Sequence, residues 1–526
     1  MDNLYKKNRA SLLFYWHNLK IKLVGESVII GVITGFIIVL FRVVIEKLGE
    51  KVGKIYEMLS LRPHFIPLWV ILFIVLGYTL GFMVKKDPMA AGSGIPQVKG
   101  VILRKLEMKW FKVILNKFIG GSFAIGFGLS LGREGPSVQL GACVGQGLSR
   151  ILKRVSIEEK YLITSGASAG LSAAFNAPLA GAIFALEEIH KNFSPLILIS
   201  AFSAALSADF IVGEFLGLSP IFNFKHIGVI PLKYYFYIIL FGIIMGVAGV
   251  VFNIFLLKSQ QLYSKQKWIP KEFNPVFPLL TSIIFGLFLP EVLGGGNSLI
   301  VSLSNTSFTI KFILVLILIK FLFTMLCYGS GTPGGIFLPV LTIGALIGYG
   351  YGSVLINMLN INTNYINNFV ILGMAAYFTA VVRSPITGTI LITEMTGGFN
   401  NFLPLSIVSI VAYLVADALG SKPIYDSLLE RFLISNTDLK AQNTKSKFIL
   451  EIPVCMGCDL DGKKIKNIRW PEFCLITEIR RGSEIIIPKG NTVICAGDYI
   501  TILTNEKDAG KLNDILNEMC QNIEKT

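Results

Sequence analysis

Long apolar blocks occupy most of this chain, separated by glycine, proline and short charged stretches. The clearest are Ser27–Ile45, Pro67–Val84, Leu196–Leu216, Tyr234–Leu257, Phe312–Leu326 and Leu403–Leu419. A membrane-spanning helix needs about 20 mainly apolar residues, and several of these blocks reach that length. Others are shorter or cut by Gly and Pro, which predicts helices that end inside the protein at membrane depth. Such ends survive only where protein or a cavity surrounds the freed backbone groups. After Tyr425 the pattern changes. Residues 436–447 are polar and read as a linker. The runs Phe448–Pro453, Cys474–Arg480, Ser483–Pro488 and Asp498–Leu503 then follow, with turn signals at Asp461-Gly462, Arg481-Gly482 and Gly490-Asn491. A last stretch, Asn505–Glu524, reads as helix. The pattern thus predicts an all-α polytopic membrane domain over 25–435, preceded by a segment 1–24, and a small α+β domain over 448–526.

An internal repeat organises the membrane part. Gly166–Glu188 matches Gly373–Met395 at a constant offset, through the pairs Gly166/Gly373, Ala169/Ala376, Ala173/Ala380, Pro178/Pro385, Gly181/Gly388, Ile183/Ile390 and Glu187/Glu394. Gly and Ala are common in membrane helices, so the weight rests on the shared P-x-x-G-x-I-x-x-x-E, which holds a helix start and an acid in one register. Two homologous halves follow, about 25–220 and 230–430. Transporters built from such repeats place substrate between the halves, at discontinuous helices near the midplane.

Composition supports the membrane reading and removes a nucleic-acid one. The chain is 53% hydrophobic and 15% charged, with mean hydropathy +0.65, against about 25% charged in soluble domains. From Lys440 onward there are 13 Lys+Arg and 12 Asp+Glu, so +14 of the net +15 lies in the membrane part. Lys6, Lys7, Arg9, Lys20 and Lys22 precede the first apolar run, which places the N-terminus in the cytoplasm by the positive-inside bias. The first 25 residues lack a compact apolar stretch ending in small residues, so no signal peptide is expected. Five of the seven cysteines lie in the tail, where a reducing cytosol disfavours disulfides. Cys455-Met-Gly-Cys458 has metal-ligand spacing, and Cys474 and Cys495 are available to complete a set. A second C-x-x-C is absent, which favours buried thiols over a metal.

Three segments share one design, glycines followed by a helix start: Gly92-Ser93-Gly94-Ile95-Pro96, Gly132-Arg133-Glu134-Gly135-Pro136 and Gly331-Thr332-Pro333-Gly334-Gly335-Ile336-Phe337-Leu338-Pro339. Proline suits the first helical turn, and glycine lets backbone approach a ligand closely. The first N–H groups of a helix have no intrahelical partner and carry the positive end of its dipole. A helix start inside the membrane is therefore a candidate anion site. An uncompensated ion in a low-dielectric interior costs tens of kcal/mol by Born estimates. Hydrogen bonds to a charged group return roughly 1.5–3 kcal/mol each. Several amides and hydroxyls offset desolvation and still let the ion leave, as conduction requires. Close helix packing explains glycines equally well in any single segment, and Ser93 is also a natural helix cap. Three such segments over both halves favour the anion reading.

Acidic residues at membrane depth are costly and point to function. The carboxylate of Glu134, itself an anion, can occupy the site its own segment builds and leave it on protonation. Glu134 is thereby a candidate gate and proton carrier. Glu187 and Glu188 close an apolar helix. Glu394 matches Glu187 in the repeat, which predicts a shared structural role for that pair and leaves Glu188 as the distinct acid.

With these motifs in place, the chain resembles the CLC family of chloride channels and chloride/proton antiporters, of prokaryotic type. The matching stretches are G-S-G-I-P at 92–96, G-R-E-G-P at 132–136, F-N-A-P-L-A-G at 175–181, G-G-I-F-L-P at 334–339 and K-P-I-Y at 422–425. The resemblance implies the CLC fold, two inverted-repeat halves of broken and tilted helices, and a homodimer with one pathway per subunit. It implies that Ser93 and Tyr425 offer hydroxyls to a central chloride, together with the amides of Ile336 and Phe337. It implies an external anion site on the backbone of Arg133 and Gly135, with Glu134 as external gate. Glu188 would be the internal proton-transfer residue of the exchangers; the family's passive channels commonly carry an apolar residue there. Chloride/proton antiport is the expectation, with chloride as substrate and no cofactor, and a passive voltage- or pH-gated channel is the alternative.

The tail resembles the C-terminal subdomain of RCK domains, the regulators of potassium conductance, through C-D-L-D-G-K-K-I, I-R-R-G-S-E-I-I-I-P-K-G and A-G-D-Y-I-T-I-L. No G-x-G-x-x-G precedes it, so the nucleotide-binding Rossmann half is missing. Related modules dimerise and some bind cyclic di-adenosine monophosphate, which by analogy places Arg480, Arg481, Ile487 and Pro488 at a ligand site; a dimer-stabilising cap is the other expectation. An intramembrane hydrolase has little support: His17, His64, His190 and His226 show no H-E-x-x-H spacing, and Ser93 has no base partner visible in sequence.

Overall fold

The computed structural model of the chain describes residues 2–191, 193–222, 224, 228–266, 268–360, 362–435, 447–482 and 484–521, without the side chains of 2–19, 447, 506, 507, 517, 520 and 521. Most of the linker expected at 436–447 (its residues 436–446), Ser483 and His226 lie outside the described residues, as do the side chains of Lys6, Lys7, Arg9, His17 and Cys520. The chain divides into two compact units. One comprises Met1–Val98, Met108–Arg154 and Glu159–Arg431, the other Lys99–Glu107, Val155–Glu158 and Phe432–Thr526.

The first half of the membrane unit contains α1 (Asp2–Leu61), α2 (Ile66–Lys86), α3 (Ile95–Ile102), α4 (Trp110–Gly126), α5 (Glu134–Ile151), α6 (Ser156–Phe175), α7 (Pro178–Phe184) and α8 (Pro195–Leu216). The second half repeats the succession as α9 (Tyr235–Lys265), α10 (Val276–Phe288), α11 (Asn297–Asn305), α12 (Ile310–Gly329), α13 (Phe337–Leu359), α14 (Ile366–Val382), α15 (Pro385–Thr396) and α16 (Phe402–Ala418), and α17 (Ile424–Ser435) closes the unit. Among the described residues eight helices are long and apolar enough to cross a membrane. Six contain the blocks legible in sequence. The other two, Phe337–Leu359 and Thr363–Val382, have a mean hydropathy of only 1.5 and are 72% and 89% buried over their most apolar windows. Helices so enclosed by neighbours touch little lipid, so small and polar residues are tolerated along them.

The expected helix starts are present. Pro178 and Pro385 take the first positions of α7 and α15, Pro96 the second of α3, and Pro136 and Pro339 the third of α5 and α13. All five fall in the first turn, where the ring displaces no intrahelical N–H. The apolar helix expected to end in Glu187 and Glu188 instead changes type: α7 stops at Phe184 and the chain continues as a π-helical turn over Ala185–His190. Such turns are rare and concentrate at functional sites.

Among the backbone contacts between the halves, one is a reciprocal bridge. Gly132 N donates to Gly335 O and Gly335 N to Gly132 O, both at 2.7 Å, as an antiparallel bridge. An antiparallel pair that exchanges both bonds is related by a local two-fold, and the two glycines occupy equivalent places in the halves. The repeat is therefore inverted about this point.

The second unit carries an antiparallel sheet of order β1-β4-β2-β3, with β1 Lys447–Pro453, β2 Cys474–Arg481, β3 Glu484–Ile486 and β4 Asp498–Asn505. One face packs Phe448, Leu450, Ile452, Ile479, Ile500 and Ile502 against Leu512 and Leu516 of α18 (Glu506–Gln521). Gly462 and Gly482 take left-handed φ values of 74° and 57° at the turns marked in sequence. Of the C-x-x-C pair, Cys458 belongs to this core and Cys455 is exposed. No group of three or more His, Cys, Asp or Glu able to hold a metal occurs among the described residues.

Candidate anion pathway

Around the bridge, three glycine segments converge. Gly92 N donates to Gly331 O (3.3 Å) and Gly334 N donates to Gly92 O (2.9 Å). Gly135 lies against Ser93: a methyl group on Gly135 would come within 2.8 Å of the Ser93 Cβ and carbonyl oxygen. A methyl group on Gly335 would stand 3.1 Å from the Gly135 amide. The starts of α3, α5 and α13 are thereby brought together, as the shared motif design predicts, and any side chain larger than hydrogen at Gly135 would separate them.

Most of the residues singled out in sequence sit in this region, all buried: Ser93, Glu134, Gly135, Ile336, Phe337, Tyr425 and Glu188. A methyl group on Gly132 would collide with the Glu134 carboxylate and approach the Leu338 amide to 3.0 Å, so the carboxylate folds back beside the first amides of α13. Tyr425 lies within electrostatic range of Tyr328, Glu188 and Glu134. Neither Glu134 carboxylate oxygen nor the Tyr425 hydroxyl has a hydrogen-bond partner of good geometry among the described residues. Buried polar atoms are almost always partnered. Atoms orphaned beside helix N-termini fit a site for a small anion, with a carboxylate able to compete for it. Phe337 packs among Phe175 (5.1 Å between centroids), Phe184 (6.2 Å) and Phe378 (4.5 Å), which walls the region with apolar surface.

The side chain of Arg133 takes a different place, donating from Nη1 to Glu46 Oε1 at 2.8 Å. Glu188 lies in the π-helical turn and accepts from Ser384 Oγ at 3.3 Å. The end of that turn is tied to the residue after Tyr425, through Lys191 and Asp426 at 2.7 Å. Glu187 and Glu394 form a reciprocal pair. Glu187 accepts from Ile386 N (3.2 Å), Thr387 N (2.7 Å) and Thr387 Oγ1 (2.7 Å) at the start of α15; Glu394 accepts from Leu179 N (3.1 Å) and Ala180 N (2.7 Å) at the start of α7. Each caps the helix of the other half, the shared structural role their repeat register predicts.

Several residues were not anticipated. The Tyr328 hydroxyl sits against Ser93 and would be 3.4 Å from a methyl group on Gly92. Lys117 and Lys320 are both fully buried; Lys320 interrupts the block Phe312–Leu326, and an ionisable residue inside an apolar run was the available signal. Tyr328 left none, because its contact is made across more than 230 residues of chain.

Arg480, Arg481, Ile487 and Pro488 belong to the other unit. Arg481 forms two 2.8 Å bonds to Asp498 and one of 2.9 Å to Val493 O. That pairing holds the Asp498 carboxyl below its usual range. Arg480 pairs with Glu451 at 2.8 Å and lies over the Tyr499 ring at 4.9 Å. Ile487 is exposed.

Inverted halves of broken helices, meeting at glycine-lined helix starts around buried acids, define a polytopic membrane protein of the ion-transporter class. Residues 71–417 match the family model described as voltage gated chloride channel, and residues 449–517 match the TrkA-C domain. The chain is 36% identical to the H(+)/Cl(-) exchange transporter ClcA of Vibrio cholerae serotype O1, over 80% of this chain and 92% of that one. It is 34% identical to the ClcA of Salmonella arizonae, over 80% and 90%. Among solved structures it resembles a slow cyanobacterial Cl-/H+ antiporter (TM-score 0.75, 30% identity, 79% of this chain and 99% of that one) and a CLC-type fluoride/proton antiporter (0.61, 25%, 76% and 95%). The chain belongs to the voltage gated chloride channel (CLC) family and carries a TrkA-C domain at its C-terminal end.

Proposed function

We propose that this protein is a secondary-active chloride/proton antiporter. The observation that carries the reading is Glu134, a protonatable carboxylate without a hydrogen-bond partner of good geometry, placed at a helix start beside Ser93 and within electrostatic reach of Tyr425. Ser93 and Tyr425 supply hydroxyls and Ile336 and Phe337 amides to a central chloride; Arg133 and Gly135 supply backbone to an external one. Glu134 competes with chloride for the outer position when ionised and leaves it when protonated, so lower pH raises chloride flux. Glu188, seated in the π-helical turn, receives protons from the opposite side. The names of the ClcA relatives and of the cyanobacterial neighbour support exchange over passive conduction.

The basic residues before the first apolar run support a cytoplasmic N-terminus, with the tail on the same side. Each subunit of a homodimer carries one pathway, and the tail dimerises or regulates. A ligand such as cyclic di-adenosine monophosphate at Arg480, Arg481, Ile487 and Pro488 would compete with Asp498 and Glu451 for the arginines.

The test is a reversal-potential measurement on purified protein in liposomes with opposed chloride and proton gradients. An exchanger responds to both gradients. Reversal at the chloride equilibrium potential alone would replace antiport with a passive channel. Glu188→Ala is expected to abolish proton movement and keep chloride movement.

A further inference from the structure

The inverted repeat extends to two buried lysines that sequence alone does not connect to the pathway. Lys117 on α4 donates from Nζ to Ala90 O (3.0 Å), Ala91 O (3.4 Å) and Gly92 O (2.6 Å). Lys320 on α12 donates to Val292 O (2.8 Å) and Gly294 O (2.6 Å). The cradles correspond residue by residue: Pro88–Ala90 and Pro290–Val292 are both 3₁₀ turns. Gly92 and Gly294 then take φ of 56° and 62°, and Gly94 and Gly296 of 93° and 104°. Both ammonium groups are fully buried, and no ion pair to either occurs among the described residues. A cation so placed is tolerable only while its carbonyls remain in position. Each lysine therefore clamps its glycine loop. Because a trans peptide is planar, with C=O and N–H opposed, turning the carbonyls of Gly92 and Gly294 to the ammonium turns the next N–H, of Ser93 or Gly295, away from it.

Each clamped loop then crosses to the other half. Gly92 bonds Gly331 and Gly334, the residues that lead into Ile336 and Phe337. Gly294 N donates to Gly128 O at 2.9 Å, in the segment that leads into Glu134. The same segment is held from α12 a second time, by Ser130 Oγ to Thr324 Oγ1 (2.8 Å) and Ser130 N to Cys327 Sγ (3.3 Å). We propose that Lys117 and Lys320 are crossed positioning residues, Lys117 setting the chloride site of Ser93 and the α13 start, and Lys320 setting the start of α5 that presents Glu134. The two lysines thus govern different steps of one cycle.

The proposal rests on the antiport reading above, and the experiment separates the two. Chloride and proton flux are first measured for the unmodified protein in liposomes; absence of coupled flux would remove the antiport reading itself. With coupling present, Lys117→Met is expected to raise the chloride KM by about fivefold, the low end of measured coupling between sites, and to leave the pH midpoint of flux in place. Lys320→Met is expected to move that midpoint by about half a unit or more, against a full unit for 1.36 kcal/mol, with little change in KM. Arg42, Arg133 and Tyr425 are the charged and titratable side chains that face Glu134, and both variants keep them. Lys117→Arg and Lys320→Arg, which retain the donors, are expected to restore each property. Should Lys320→Met fail to fold, Thr324→Val removes the hydroxyl bond of the second brace, leaves the bond from Ser130 N to Cys327 Sγ in place, and is expected to shift the midpoint in the same direction. Equal effects of the two Met variants on KM and on pH midpoint, or no effect of Thr324→Val on the midpoint, would overturn the proposal.

Discussion

Residues 132–136 and 335–339 are one turn built twice, with unlike side chains. Gly132 and Gly335 bond each other, Pro136 and Pro339 sit at the third positions of α5 and α13, and between them Arg133-Glu134-Gly135 faces Ile336-Phe337-Leu338. A carboxylate in the first half is thus answered by a ring in the second, packed among Phe175, Phe184 and Phe378. The same divergence recurs one loop away, where Ser93 in the first half corresponds to Gly295 in the second. On the reading proposed above, both halves keep a backbone that aims amides at an anion; at these two turns only the first carries an acid or a hydroxyl, Glu134 and Ser93, while the second half contributes its hydroxyl from elsewhere, at Tyr425. On the antiport reading, anion coordination is shared by the halves and proton chemistry is local to one of them.

The sharpest way to break that division is Glu134→Gln, which keeps shape and removes ionisation. Proton flux is expected to fall by at least about tenfold, roughly 1.4 kcal/mol in a barrier, while chloride flux persists and loses its pH dependence. Parallel proton-uptake and chloride-efflux traces from one liposome preparation check it. Retained coupling in the variant would mean that proton chemistry is not confined to the first half.

How far this was legible in sequence depended on whether a feature is local. Apolar blocks announce spanning helices because lipid contact demands it, so six of the eight were readable directly. The helices Phe337–Leu359 and Thr363–Val382 were not, since other helices cover them. Gly-rich segments before prolines marked the helix starts, because both the φ requirement and the absent N–H are local. The match between Glu187 and Glu394 gave a shared role, but its nature, each acid capping the opposite half's helix, appears only once the halves are folded together. The pairing of Lys117 with Lys320, and the place of Tyr328 beside Ser93, depend on contacts between distant segments that leave no periodicity or spacing behind.

The reciprocal caps sharpen the comparison where the halves remain alike. Removing either carboxylate leaves amides at a partly buried helix start without their acceptor, and hydrogen bonds to a charged group contribute roughly 1.5–3 kcal/mol each before compensation by water. A loss of about 2 kcal/mol is expected for Glu394→Ala, the upper end for helix caps. Glu187→Ala is expected to cost about 1 kcal/mol more, because Glu187 also accepts from the Thr387 hydroxyl. Thermal unfolding of the purified protein measures both. A silent Glu394→Ala beside a damaging Glu187→Ala would show that the halves are not braced symmetrically.

The smallest effect is expected where the comparison is most tempting to reverse, at Gly295→Ser, which writes the first half's serine into the second. Gly295 is outside the left-handed φ region, so a side chain costs no backbone strain. Space is the difference. A Cβ there would lie 2.5 Å from Leu338 Cδ2, so that side chain must shift, and 3.3 Å from Leu131 O, and the Gly295 carbonyl already accepts from Thr342 Oγ1 at 2.9 Å. The new hydroxyl would therefore meet the Leu131 carbonyl and a leucine side chain, where Ser93 has the Tyr328 hydroxyl against it. A destabilisation of about 1 kcal/mol, the low end for overpacking, is expected, with the chloride KM changed by less than about twofold, roughly 0.4 kcal/mol. A clear gain in chloride affinity would mean that the second half lacks only the hydroxyl; an unchanged KM would mean that its surroundings, and not one residue, keep the chloride chemistry on the side of Ser93.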